Sequence, residues 1–315
     1  MGAGCRPHAD APLVNPRDGV ENTRMATDPA TFLARFAAAE IGAEPLSFQL
    51  LFFDPPALTE AGLLAALAPH LPGVTVELLA VAGSPEAASV VSADGPPASA
   101  LGLIAWPGRV VKLVTFDAPM PYGPVEACVG PALIPPPMKV DAAQHRAHAL
   151  LYIAGNGPEP LEGYTALCAV AGALARFGGI VTLNEEARTA VPAFDLIPDE
   201  GEDALQTYRT LPTPYLFGGF VRMDAGHAGN WVRTFACHRL GLPNLAMKMT
   251  DPDHGRMAFQ TFAGILGYLR QVGEAFTAGD LLDLGDGTKF TLRVPAETEW
   301  FLDSPGPLFV LEPEA

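Results

Sequence analysis

The stretch Ala100-Leu-Gly-Leu-Ile-Ala-Trp106, followed by Pro107-Gly108 and then Val110-Val-Lys-Leu-Val-Thr-Phe116, decides the fold class. Two apolar runs of strand length flank a proline-glycine pair. Such a pair suits a tight turn, and a tight turn joins its strands antiparallel. Working outward, Ser47-Phe-Gln-Leu-Leu-Phe-Phe reads as a buried strand ending at Asp54-Pro-Pro, and Val74-Thr-Val-Glu-Leu-Leu-Ala-Val as another. Between them Thr59 can cap a helix running to Pro69, with Leu63, Leu64 and Leu67 on one apolar face. Upstream, Asp28-Pro-Ala-Thr opens a short helix carrying Phe32, Phe36 and Ala39. Gly123 to Leu133 reads as a helix, and Ile134-Pro-Pro-Pro-Met as extended, because proline fixes φ and offers no donor.

The second half repeats this rhythm. A strand from His148, a long helix from Glu162 to Phe177 stopped by Gly178-Gly179, and a strand from Ile180 come first. An acidic, irregular stretch from Glu185 to Arg209 precedes strands at Tyr215 to Met223, Trp231 to Cys237 and Leu245 to Met249. The helix from Arg256 to Val272 carries Phe259, Phe262, Ile265, Leu266 and Leu269 on a continuous stripe. Strands at Phe290 to Val294 and from Leu308 end the chain. Consecutive strands interrupt the alternation of a doubly wound fold, so the class is α+β with largely antiparallel sheets and packed helices. The order of elements in each half also fits two ferredoxin-like, split βαβ halves. The division is then a flexible N-terminal arm at 1–28, an N-terminal α+β half at 29–140 and a C-terminal α+β half at 141–315.

Composition narrows the function classes. The 315 residues carry 35 acidic and 19 basic side chains, a formal charge of −16, which argues against nucleic-acid binding. The apolar fraction of 49% and mean hydropathy of +0.22 suffice for a sizeable core. Glycine and proline, 32 each, are dispersed between apolar runs and read as turns. No apolar run approaches the roughly 18 residues of a membrane span, and the N-terminus has no secretory apolar core, so the expected location is cytoplasmic. Met25 is an alternative start. Cys5, Cys128, Cys168 and Cys237 lie far apart, without zinc-ribbon or redox spacing, and read as unpaired thiols, most of them in apolar stretches.

Several polar constellations are candidate sites. His145-Arg-Ala-His148 spaces two imidazoles as one metal on a helix would need them, but a strand beginning near His148 spoils the shared face. Cys237-His238, read on a strand, point to opposite faces. Asp251-Pro-Asp253-His254-Gly255-Arg256 opens a strongly apolar helix. Capping accounts for it, while Asp253 with His254 as an acid/base pair, or Arg256 holding an anion, is the functional alternative. Glu185-Glu186 and Asp199-Glu200-Gly-Glu202-Asp203 read as solvated loops, and Asp283-Leu-Gly-Asp286-Gly does not satisfy the calcium-loop pattern. No phosphate loop, dinucleotide turn or nucleophile elbow occurs in the sequence, and no cofactor is expected.

From about Val111 to Val294 the chain resembles a bacterial family, domain of unknown function family 4261 (DUF4261). The likeness rests on Phe116-Asp-Ala-Pro-Met-Pro, on His145-Arg-Ala-His148-Ala-Leu-Leu-Tyr-Ile before a long helix, and on Thr234-Phe-Ala-Cys-His-Arg-Leu-Gly-Leu-Pro-Asn-Leu, with a late Gly-Asp-rich turn before a strand. It covers over half of the chain, and it departs at Asn244 and Met247, where the family often has acidic residues. The resemblance implies a shared architecture and no catalytic residue.

The leading expectation is a non-catalytic binding or regulatory module, immunity-like in one version, that meets a basic protein partner through sheet edges and acidic loops. Its rival is a hydrolase or metal-dependent enzyme gathering His148, His238, Asp253 and His254 in one cleft, with His145 and His148 the candidate metal ligands. A small-molecule sensor with an apolar pocket near Trp106, Tyr152 or Trp231 is the third reading.

Overall fold

The computed structural model describes residues 28–42, 44–81, 96–155, 159–249, 251, 255–285 and 287–314. Helix α1 (Pro29–Ala38) begins at Asp28, whose carboxylate accepts the Thr31 N–H at 3.1 Å. The described chain therefore starts with a helix cap at the last residue assigned to the arm. Strand β1 (Ser47–Phe52) leads to α2 (Glu60–Leu67), capped as expected by Thr59 Oγ1 accepting from the Gly62 N–H at 3.0 Å. Then follow β2 (Thr75–Ala80), β3 (Ala100–Trp106) and β4 (Arg109–Phe116). Gly108 at φ +77° follows Pro107 in the turn, the positive φ that the second central position of a type II turn takes. Trp106 pairs with Arg109, so the hairpin closes one residue tighter than Val110.

Helices α3 (Tyr122–Val129) and α4 (Pro136–Ala143) precede β5 (Ala147–Ile153), and α5 (Pro160–Ala175) leads to β6 (Gly179–Asn184) and β7 (Thr189–Pro192). Contrary to expectation, Ile134-Pro-Pro-Pro-Met is not extended throughout. Pro135 is extended at φ −56°, ψ 139°, but helix α4 begins at Pro136. The first turn of a helix has no intrahelical partner for its N–H groups, so proline loses nothing there and its fixed φ is already helical.

The first sheet has the order β2-β3-β4-β5-β1-β6-β7, with every neighbouring pair antiparallel. Both faces are covered, which is why its strands read as continuous apolar runs. Phe48, Leu50 and Phe52 pack under α5 and α2, whereas Leu51 packs with Val125, Cys128 and Val129 of α3. Phe32 and Phe36 of α1 cover Leu101, Leu103 and Phe116. Because β5, β6 and β7 join this sheet, it draws strands from both sides of residue 140. A split βαβ unit sets two parallel strands at its centre, and no pair of this sheet is parallel, so this sheet is not of the ferredoxin-like kind.

The acidic stretch expected to be irregular is ordered. Besides β7 it holds a 3₁₀ turn at Ala193–Leu196 and helix α6 (Ala204–Thr210), with Asp203 accepting the Gln206 N–H at 3.1 Å as its cap. The second sheet is built from β8 (Phe220–Asp224), β9 (Asn230–Thr234), β10 (Asn244–Lys248), β11 (Leu281–Asp283), β12 (Lys289–Arg293) and β13 (Leu308–Pro313). Its order is β11-β12-β13-β10-β9-β8, and β10 with β13 is its parallel pair. Helix α7 (Gly255–Val272) buries Phe262, Ile265, Leu266 and Leu269 against one face. A 3₁₀ segment, Glu297–Leu302, covers the other, where Leu302 meets Trp231, Ala246 and Val310. Arg293 holds that segment with two bonds to the Glu299 carboxylate, at 2.6 and 2.7 Å.

Candidate functional site

Both imidazoles of the 145–148 run bond to backbone. His145 follows α4 and is buried. Its Nε2 accepts the Met120 N–H at 2.8 Å, and its Nδ1 lies 2.7 Å from the Ala142 carbonyl. Nδ1 is therefore the protonated nitrogen, and no lone pair is left for a metal. His148, on β5, donates from Nδ1 to the Ala118 carbonyl at 2.8 Å and stacks on Phe116 with ring centres 4.6 Å apart and planes 9° from parallel. Burial lowers its pKa, the Ala118 bond opposes this, and the neighbouring His145 adds to the lowering.

Protonation of His148 costs more in the folded than in the unfolded chain, so its neutral form is retained above about pH 6.5 and stability falls as pH drops below that value. The native protein is therefore expected to lose stability through this one group as pH falls below about 6.5, its lowered pKa being the cause. His148→Gln should flatten that part of the urea-midpoint profile. An identical acid profile in parent and variant would assign the loss elsewhere.

Asp253 and His254 lie outside the described residues. Cys237 and His238 do not continue β9. They begin a 3₁₀ turn, Cys237–Leu240, after Ala236 takes φ +57°, so alternation on a strand does not govern them. Cys237 points into the core, and burial pushes its thiol up to about 12. Asn244 Oδ1 accepts the Cys237 N–H at 3.2 Å and Thr234 Oγ1 accepts the Leu245 N–H at 2.8 Å, so the run from Thr234 to Leu245 closes on itself as a corner. His238 Nε2 is 3.4 Å from Glu186 Oε1, and the same oxygen accepts from Arg239 Nε at 2.5 Å, while Arg239 also reaches Glu44 Oε2 at 3.1 Å. This knot ties the β6–β7 turn and the approach to β1 to the second sheet. Its Arg239 contacts are ion pairs across a junction.

Among the described residues no three His, Cys, Asp or Glu side chains converge in a metal-holding group. Trp231 is buried against Phe301, and Trp106 packs against the main core. The acidic loops also have structural duties: Glu202 accepts the Asp199 N–H at 3.0 Å and the Thr207 hydroxyl at 2.6 Å.

What the sequence reading missed is a surface. A groove of about 710 Å³ runs between α7 and β11. Ile265 and Leu282 lie at its base, with Tyr268, Leu281 and Leu284 on its lining, 52%, 53% and 38% exposed. Glu274, Asp280 and Asp283 line it as well, and among the described residues no cation does. Asp280 accepts the Thr277 N–H at 2.8 Å, and Asp283 accepts the Gly285 N–H at 2.9 Å with Lys289 Nζ 3.2 Å away, so the loop holds its carboxylates in place. Strand β11 ends the second sheet, pairing with β12 and leaving its outer edge open among the described residues. The traces in the sequence were Tyr268, off the apolar stripe of its helix, and the pair Leu281-Leu282 before an acidic turn.

Comparison of the chain with protein-family models, with curated proteins and with solved structures gives no match. Among the described residues no helix is long and apolar enough to cross a membrane.

Proposed function

We propose that this chain is a non-catalytic binding module whose α7–β11 groove receives an extended, basic segment of a protein partner carrying apolar side chains. The observation that supports it is the coincidence of an open sheet edge, three exposed apolar side chains and an acidic lining in one groove. An incoming strand adds main-chain bonds at β11 while its apolar residues cover Tyr268 and Leu281. The −16 charge of the chain and the local Glu274, Asp280 and Asp283 steer a cation there. An immunity-type antagonist of a basic toxin is one concrete version. The resemblance to DUF4261 brings no activity to set against this reading. Buried, unpaired Cys128, Cys168 and Cys237 suit a reducing compartment, so we place the module in the cytoplasm.

The probe is a synthetic peptide alternating lysine with valine, titrated into the full chain by fluorescence anisotropy. Saturable binding that weakens at least tenfold between low and physiological salt, and again in Leu281→Arg, is the expected result. Equal binding of a glutamate-valine peptide, or an unchanged affinity in Leu281→Arg, overturns the proposal. So does sedimentation of the free protein as a dimer that Leu281→Arg dissolves, since a second copy then fills the groove.

A further inference from the structure

A second hollow, of about 770 Å³, lies between α3 and α4, at the opposite sheet from the docking groove. That volume is in the range of small-molecule pockets. Its floor is apolar, with Met120, Val125 and Val129 buried. Its wall at His145 is fixed, because both imidazole nitrogens are spent on the backbone at Met120 and Ala142. One cation reaches it. Lys139 Nζ donates to the Gly130 carbonyl at 2.6 Å and has no carboxylate within ion-pair distance among the described residues, leaving two of its three N–H bonds for another acceptor. Burial lowers its pKa, against a smaller opposing effect of the Glu126 charge, as for an ammonium drawn partly out of water. Helix α3 also starts at this hollow, and Pro121 at its N-cap offers no side-chain acceptor to the first N–H groups. Glu126, which lines the hollow too, disfavours an anion nearby but does not pair with Lys139.

We propose that the α3–α4 hollow binds an organic monocarboxylate with an apolar tail, its carboxylate on Lys139 and its tail over Met120, Val125 and Val129. The pocket supplies one cationic anchor and an apolar floor, and this ligand class presents an anionic head and an apolar tail to match them. An alcohol of equal length lacks the charge-assisted bond, and an inorganic anion lacks the tail. The site is independent of the groove reading, since none of its lining residues belongs to α7 or β11.

Decanoate is the probe, titrated calorimetrically into the full chain. Saturable one-to-one binding is expected, with decanol and acetate each at least tenfold weaker. Lys139→Met should weaken decanoate at least tenfold, Lys139→Arg should restore most of that loss, and Glu126→Gln should leave it equal or tighter. A footprint keeps the test independent of variant folding. The chain has four lysines, Lys112, Lys139, Lys248 and Lys289, and bound decanoate should slow acetylation of Lys139 by acetic anhydride while leaving the other three unchanged. No saturable binding, decanol binding as tightly as decanoate, or equal acetylation of Lys139 with and without decanoate overturns the proposal.

Discussion

Gly172→Ala is expected to destabilise the protein by about 3 kcal/mol, against the direction that helix propensity alone predicts. Gly172 lies inside α5, where alanine would ordinarily gain about 1 kcal/mol by restricting the unfolded chain. Packing reverses the sign. A Cβ built at 172 would stand 1.9 Å from the Leu196 carbonyl oxygen, which belongs to backbone and cannot swing aside as a flexible side chain could. The same Cβ would come within 3.1 Å of the Tyr208 hydroxyl, which donates to that carbonyl at 2.7 Å and fastens α6 to the 3₁₀ turn after β7. The methyl group must therefore push the Ala193–Leu196 turn away from α5 and stretch a buried hydrogen bond, an overpacking cost that exceeds the propensity gain. Gly267→Ala, in α7 with nothing within 4 Å of its would-be Cβ, serves as the control and should gain up to about 1 kcal/mol. Urea titration of both variants separates the two contributions. Equal midpoints for Gly172→Ala and the parent would falsify the close approach.

The same contrast explains which parts of the fold the sequence discloses. Local chemistry is legible: Pro107-Gly108 forces one turn, Thr59 caps one helix, and the stripe Phe262, Ile265, Leu266, Leu269 fixes which face α7 buries. Helix α4 is obscured because the same prolines that break a helix in its middle start one at its first turn. Strands β7 and β11 are four and three residues long, too short for a period to show, and are held by partners distant from any local signal. Sheet order is not local either, since β1 lies between β5 and β6, which are about a hundred or more residues away in the chain. The candidate sites follow the same rule. Backbone partners such as Met120 for His145 and Ala118 for His148 decide whether an imidazole is available, and a linear reading cannot pair them. The groove depends on β11 reaching the sheet edge beside Tyr268, a juxtaposition made by tertiary structure.

Arg233→Met is expected to leave the protein at least as stable as the parent, whereas Arg233→Ala should lose about 3 kcal/mol. Arg233, near the end of β9, is fully buried. In the alternating run Trp231-Val-Arg-Thr234 an arginine normally marks a solvent face, but the Glu297–Leu302 segment closes over it. Its guanidinium donates from Nη2 to Ser304 Oγ at 2.6 Å and from Nε to the Thr234 carbonyl at 3.3 Å, and it stacks on Phe235 with 3.9 Å to the ring centre. Arg188 sits 4.6 Å from the centre of the same ring. Among the described residues no carboxylate lies within ion-pair distance. Burial, with the Arg188 charge second, accordingly pulls the Arg233 pKa down to about 10, against weaker support from Asp303. At neutral pH the group is still charged, so the fold carries a desolvated cation that dipoles, a ring face and the more distant Asp303 charge offset only in part. Methionine keeps the volume of the stem and removes that cost, and substitutions of this kind in other buried charge clusters are neutral to stabilising. Alanine removes the stem as well and leaves a void under Phe301 and Leu302. What the charge contributes is position: its bond to Ser304 and the Asn244 bond to the Pro305 carbonyl at 3.1 Å pin the chain just after the covering segment. Arg233→Met should therefore unfold at the same or higher urea concentration while the amides of Trp300 to Asp303 exchange faster with deuterium. Loss of stability in Arg233→Met comparable to that in Arg233→Ala would show that the guanidinium is a net stabiliser, and that the dipoles around it solvate it as well as water does.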